Sequence, residues 1–238
     1  VKADLDQSIS KMNDLRQQDD TASEKKIFAV GDIHGQYEKL TDLMSVLPWD
    51  RQEDTLVFLG DYIDRGKHSK EVVQYLIDLK NQGGQIFFLL GNHEKLLTNY
   101  YYSGSDYDLK IWRSFGGWQT IQNYTNGAGV LGRPAFLPRT HLDFFRRLLP
   151  YYETANYIFV HAGFREGIPL DEQKLDDLLW VRKSFAEGNH SFPKTVIFGH
   201  TPMRSPYVSS DKIGIDTGAG HGNILTAVEL PAIKFYHA

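Results

Sequence analysis

Five short apolar runs in this chain each stop abruptly at a polar residue of metal-ligand type: IFAVGDIHG (27–35), LVFLGDYIDRG (56–66), FFLLGNHE (87–94), YIFVHAG (157–163) and VIFGH (196–200). Apolar runs of this length, bounded by glycine, read as buried strands. Strands that end at a common edge deliver their last polar side chains to one place. Asp, Asn and His drawn from distant parts of the sequence can therefore meet there as ligands, and two metals held at such an edge make a hydrolytic site.

Any one of these residues has an ordinary explanation. A lone histidine is commonly a hydrogen-bonded structural residue, and a strand-end aspartate commonly caps a helix. Four of the nine histidines, His34, His93, His161 and His200, fall at these strand ends, and that conjunction speaks against independent structural roles. The chain has no cysteine, which removes disulfides, zinc–thiolate sites and cysteine nucleophiles. Carboxylate, imidazole and amide ligands suit Mn, Fe, Zn or Mg. A net charge of −4 offers no basic footprint for nucleic acid, so no nucleic-acid partner is expected. No stretch of about 18 apolar residues is present, which predicts no membrane span. Residues 1–20 lack an apolar core of signal-peptide length, so a cytoplasmic location is the default expectation.

Leu5, Ile9, Met12 and Leu15 recur at helical spacing and predict an amphipathic helix over 4–17, with residues 1–25 forming an N-terminal helix and loop. From Lys26 the pattern alternates: strand 26–30, a helix carrying Tyr37, Leu40, Leu43, Met44 and Leu47, strand 55–59, helix 69–82, strand 85–90 and helix 94–102. This βαβαβα run implies parallel strands. Residues 103–139 are rich in Gly, Tyr, Trp, Asn and Pro and read as an insertion or cap over the site, with short helical pieces at best. After helix 140–149 come closely spaced strands near 151–154, 157–161, 194–198, 212–215, 223–230 and 232–237, which call for a second, mixed sheet. The expected fold is α/β: one domain over 26–238 in which two mixed sheets pack face to face between flanking helices, making four layers.

The motifs Gly31-Asp32-Ile33-His34-Gly35, Gly60-Asp61-Tyr62-Ile63-Asp64-Arg65-Gly66 and Gly91-Asn92-His93-Glu94, followed by His161-Ala162-Gly163 and Gly199-His200, resemble the ordered motifs of the phosphoprotein phosphatase branch of the calcineurin-like metallophosphoesterases. The resemblance runs from about Lys26 to Leu230 and is nearest to the bacterial and bacteriophage lambda-type serine/threonine phosphatases. It implies two divalent ions, Mn foremost with Fe or Zn as alternatives. Asp32, His34 and Asp61 would hold the first, and Asp61, Asn92, His161 and His200 the second, with Asp61 bridging. It further implies a metal-bridging hydroxide as direct nucleophile, His93 as general acid oriented by Asp64, and phosphate binding by Arg65 and Asn92.

Arg182, in Leu179-Trp180-Val181-Arg182-Lys183, resembles a second phosphate-binding arginine or is a surface residue. The stretch Trp112 to Thr120 resembles a W…GG..T element that either lines the substrate groove or packs the insertion onto the domain. His221, in the Gly-rich stretch 218–222, either approaches the site from a loop or is a solvent-exposed histidine.

The implied activity is a metal-dependent phosphomonoesterase acting on phosphoserine or phosphothreonine, with a phosphoprotein or phosphopeptide as partner. The alternative is a symmetrical dinucleoside tetraphosphate hydrolase. Asp64-Arg65-Gly66 and Glu94 favour the first. A non-catalytic phosphoprotein-binding module is the third reading, and the complete ligand set speaks against it.

Overall fold

In a computed structural model of the chain, residues 25–128, 136–188 and 192–238 are described. The helix expected over 4–17 lies outside them. Among these residues ten strands form two mixed five-stranded sheets. The first contains β1 (Ile27–Val30), β2 (Thr55–Phe58), β3 (Gln85–Phe88), β9 (Thr226–Leu230) and β10 (Lys234–His237) in the order β10-β9-β1-β2-β3. The second contains β4 (Tyr151–Glu153), β5 (Tyr157–Val160), β6 (Thr195–Phe198), β7 (Tyr207–Val208) and β8 (Lys212–Gly214) in the order β4-β5-β6-β8-β7. Strands β1, β2 and β3 run parallel, as do β5, β6 and β8.

Alternation along each strand builds the layers. Ala29, Val57 and Leu59 from the first sheet meet Phe159, Ile197 and Ile213 from the second in one buried cluster between the sheets. Their neighbours Phe28, Val30, Leu56 and Phe58 face the other way. There they pack on α1 (Tyr37–Val46) and α2 (Ser69–Asn81) through Leu40, Leu43, Val72, Leu76 and Leu79. The outer face of the second sheet, Ile158, Val160, Val196 and Phe198, packs on Leu178, Phe185 and Ala186. Burying one such side chain contributes about 1.5–3 kcal/mol. A one-residue slip of any central strand would turn its whole set to the wrong layer, which pins the register. The four-layer α/β architecture expected from the sequence is the one observed.

Two local differences bear on the site. The helix expected over 94–102 is α3, Asn92–Ser103, so Asn92 and His93 lie in its first turn. The segment expected to hold short helical pieces at best is helical through much of its described length: α4 (Asp106–Trp112), a kinked stretch (Arg113–Gly117) broken at Gly116, and α5 (Trp118–Thr125), before α6 (Arg139–Arg146). Its glycines and aromatics obscure the helical pattern, because they serve close packing rather than an apolar stripe. No helix among the described residues is long and apolar enough to cross a membrane.

Candidate functional site

Parallel pairing puts the ends of β1, β2 and β3 on one side of the first sheet, and those of β5, β6 and β8 on one side of the second. The polar residues after these strands form a single buried group. Asp32, His34, Asp61, Asp64, Asn92, His93, His161 and His200 are all buried. The backbone is bent to aim them. His34, Asp61, Asp64, Arg65 and His200 have φ of 49°, 52°, 73°, 63° and 62°. Non-glycine residues adopt this left-handed region at a cost of order 1–3 kcal/mol each, and such strain collects at functional sites.

Asp61 is the hub. His34, Asp61 and His93 form one tight set of ligand atoms, and Asp61, His161 and His200 form another. Its Oδ1 lies 3.4 Å from His161 Nε2, and its Oδ2 lies 3.5 Å from His34 Nε2 and 3.8 Å from His93 Nε2. The first turn of α3 points at the same carboxylate, with the His93 N–H donating to Oδ1 at 3.1 Å. Asn92 Oδ1 sits 2.9 Å from His161 Nε2 and 3.0 Å from His200 Nδ1.

The protons on these rings are committed elsewhere. His161 donates from Nδ1 to Leu59 O at 2.9 Å, and His34 from Nδ1 to Ile63 O at 2.9 Å. That fixes the tautomers and leaves Nε2 of each ring as a lone pair. His161 Nε2 therefore faces the oxygens of Asn92 and Asp61 with nothing but lone pairs on all sides, an arrangement that a cation resolves. Burial pushes His34 and His161 down and takes His200 down to about 3, which keeps all three imidazoles neutral, the form that ligates metal. Burial, then repulsion from Asp216 and Asp61, holds the Asp32 carboxyl well above the usual carboxylate range; burial takes Asp216 up to about 6. Crowded buried carboxylates of this kind are what a divalent ion relieves. On this chemistry the residues present fit a pair of metals.

Asp32 is not in either tight set. Its two oxygens accept the His200 backbone N–H at 3.2 and 3.1 Å. His93 joins His34 and Asp61 in its place, because its Nδ1 is held 2.7 Å from Asp64 Oδ2 and its Nε2 turns toward Asp61.

The insertion grips Asp64. Trp112 Nε1 donates to Oδ2 at 2.8 Å and Thr120 Oγ1 to Oδ1 at 2.6 Å. The Asp64 backbone N–H also donates to Thr120 Oγ1, at 2.9 Å. Arg65 N–H donates to Gly116 O at 3.2 Å. Gly116 has φ 100°, and a Cβ there would stand 2.9 Å from Arg65 Cγ, so glycine is required for this contact. Of the two readings of the Trp112–Thr120 element, the contacts with Asp64 and Arg65 are those of an element that packs the insertion onto the domain. Replacing Trp112 with Phe leaves one Asp64 oxygen short of a donor. A hydrogen bond to a charged group contributes about 1.5–3 kcal/mol, so melting should fall by roughly 3–10 °C. Calorimetry on the variant measures it.

Glu94 accepts N–H groups from Asp61 (2.9 Å), Tyr62 (2.8 Å), Ile63 (3.3 Å) and Gly91 (3.1 Å). It shapes the turn that carries Asp61 and so says nothing about substrate. Arg65 reaches His221 Nε2 with Nη1 at 2.9 Å and His93 Nε2 with Nη2 at 3.4 Å. His221 is exposed, yet it touches Arg65. Arg182 is exposed, and its positive charge adds a minor downward pull on His161, His200, Asp216 and His221, whose shifts are set first by burial. Its carbonyl receives the Phe185 and Ala186 N–H groups at the start of α7 (Lys183–Ala186), and the buried Lys212 Nζ anchors that helix on Phe185 O at 2.9 Å. Asp216 is absent from the expected set. Its signal was legible as one more apolar stretch ending in a polar residue and a glycine, Ile213-Gly214-Ile215-Asp216-Thr217-Gly218.

Residues 25–222 match the sequence model described as calcineurin-like phosphoesterase. Among named relatives, an asymmetrical bis(5'-nucleosyl)-tetraphosphatase PrpE of Oceanobacillus iheyensis is 26% identical over 235 residues, spanning 88% of this chain and 90% of the relative. A solved structure of a putative diadenosine tetraphosphatase superposes with a TM-score of 0.68 at 22% identity, covering 90% of this chain and 93% of the other. A mutant cold-active protein tyrosine phosphatase gives 0.63 at 18% identity, covering 90% and 78%.

Proposed function

The chain belongs to the calcineurin-like phosphoesterases, and from that membership we propose that it is a metal-dependent phosphomonoesterase whose acid pair serves alcohol leaving groups, those of phosphoserine and phosphothreonine in proteins. The observation that carries this reading is the buried His93–Asp64 pair, 2.7 Å apart, with both carboxylate oxygens of Asp64 held by further donors. Burial disfavours a charged His93, but Asp61 and the Asp64 hydrogen bond outweigh it and raise its pKa, the direction that an acid with a proton to give requires. A departing alkoxide needs that proton, and a positioned acid contributes about 10²–10⁴-fold. An anhydride releases a weakly basic phosphate and gains little from it.

In this reading Asp32, His34 and Asp61 hold one divalent ion, and Asp61, Asn92, His161 and His200 the other. Bound there, the pair supplies a water of lowered pKa and Lewis-acid polarisation of the phosphoryl oxygens. Arg65, Arg182 and Asn92 bind the phosphate oxygens, the guanidinium fork of Arg65 suiting two of them at once. Asp64 orients His93 and stabilises its charged form. Mn is the expected metal.

A second reading, hydrolysis of dinucleoside tetraphosphates, is favoured by the names of the relatives, which specify asymmetrical cleavage rather than the symmetrical kind expected from the motifs. Glu94, buried against backbone, does not weigh against it. A panel run with added Mn separates the two. We expect kcat/KM on a phosphoserine peptide to exceed that on diadenosine tetraphosphate by about tenfold or more. The reverse ranking transfers the assignment to the second reading.

A further inference from the structure

Resting on the phosphate-binding role of Arg65, we propose that His221 is a positioning residue for phosphate capture, holding the Arg65 guanidinium across the mouth of the site. Arg65 is a long, partly exposed arm on a strained turn, and its fork lies beside two imidazoles from different parts of the chain, of which His221 is the one that can accept from it when His93 carries its proton. Nη2 lies 3.4 Å from His93 Nε2 and Nη1 lies 2.9 Å from His221 Nε2. The second contact is the shorter, and among the described residues these two are the polar side-chain contacts seen for this guanidinium.

The loop that carries His221 is built to be rigid although the histidine is exposed. A Cβ on Gly220 would stand 2.7 Å from the His34 ring, so only glycine lets the loop lie directly on that residue. Gly218 N–H donates to Asp216 Oδ1 at 2.9 Å, and Asn223 Nδ2 to Thr217 O at 2.6 Å. Lys39 Nζ donates across from α1 to Ala219 O at 3.4 Å and to Asn223 O. A fixed acceptor therefore meets a long side chain with many rotamers, and the donor is ordered before the ligand arrives. Such preorganisation removes part of the ordering cost of binding.

A neutral acceptor is the right chemistry for this task. Burial, then the charges of Arg65 and Arg182, lowers the His221 pKa and keeps the Nε2 lone pair available. A carboxylate in the same place would cancel the charge that phosphate has to feel. An uncharged imidazole orients the guanidinium and leaves its charge whole.

The test uses the Mn-loaded protein with nitrophenyl phosphate as substrate and inorganic phosphate as probe, the latter both as competitive inhibitor and in calorimetric titration. His221→Leu should weaken phosphate and raise KM by roughly 5- to 20-fold, with kcat changed by less than about threefold. His221→Gln, whose amide oxygen can take the place of Nε2, should restore phosphate affinity to within about threefold of the parent. In an Arg65→Ala background, His221→Leu should change phosphate affinity by less than about twofold, since the two residues act as one unit. The proposal is overturned if His221→Leu binds phosphate like the parent, if Gln is no better than Leu, or if the effects of the two sites simply add. A parent that binds phosphate but cleaves no phosphoester contradicts the functional reading, and the calorimetric arm still decides His221. A parent that binds no phosphate overturns both.

Discussion

Asp61→Asn should strip both metals and lower kcat/KM by about 10³-fold or more. The expectation follows from its place at the centre of the site: it belongs to both tight ligand sets, with oxygens 3.4 Å from His161 Nε2 and 3.5 Å from His34 Nε2. The neutral amide keeps the shape of the side chain, and its oxygen can still accept the His93 backbone N–H. The fold should therefore survive while the one negative charge shared by both sets is lost. Lewis-acid stabilisation amounts to several kcal/mol, and about 4 kcal/mol corresponds to about 10³ in rate. Metal analysis of the purified variant, read beside its melting curve, separates lost metal from lost fold. A variant that retains two ions per chain contradicts the assignment of Asp61 as the shared ligand.

His93→Asn should behave oppositely, keeping both metals while losing about 10²–10⁴-fold in kcat on serine phosphate. On nitrophenyl phosphate, whose leaving group departs without a proton, the loss should be less than about tenfold. The comparison has force because His93 stands in one tight ligand set with His34 and Asp61 and is also bonded to Asp64. If it is a ligand, the variant loses a metal and slows on both substrates alike. If it is the acid, the loss follows the basicity of the leaving group.

The strand ends were legible because each central strand is a short apolar run with alternating layers on either side, and because glycine and ligand follow at once. Phe28 and Val30 face the helices while Ala29 faces the other sheet, and Asp32 comes two residues later. The partners of Asp64 were not legible. Trp112 lies 48 residues away and Thr120 lies 56 away, and nothing local to either marks a carboxylate as its target. Their pairing exists only once the insertion folds down, which it does through the contact of Gly116 with Arg65. His221 was legible only as one of two alternatives. Its exposure is real, and only the Gly220–His34 contact shows that an exposed loop can be fixed against the site. Glu94 stands next to the ligands in sequence but faces four backbone donors, so neighbourhood in the motif misstates its role.

The proposed hydrolysis depends on a pair of metals sharing Asp61. Electron paramagnetic resonance of the protein titrated with Mn tests it most directly. Two ions per chain with an exchange-coupled spectrum are predicted, because a carboxylate-bridged pair sits about 3.5–4 Å apart. A plateau at one ion per chain, or two ions giving the spectrum of isolated Mn, would contradict it.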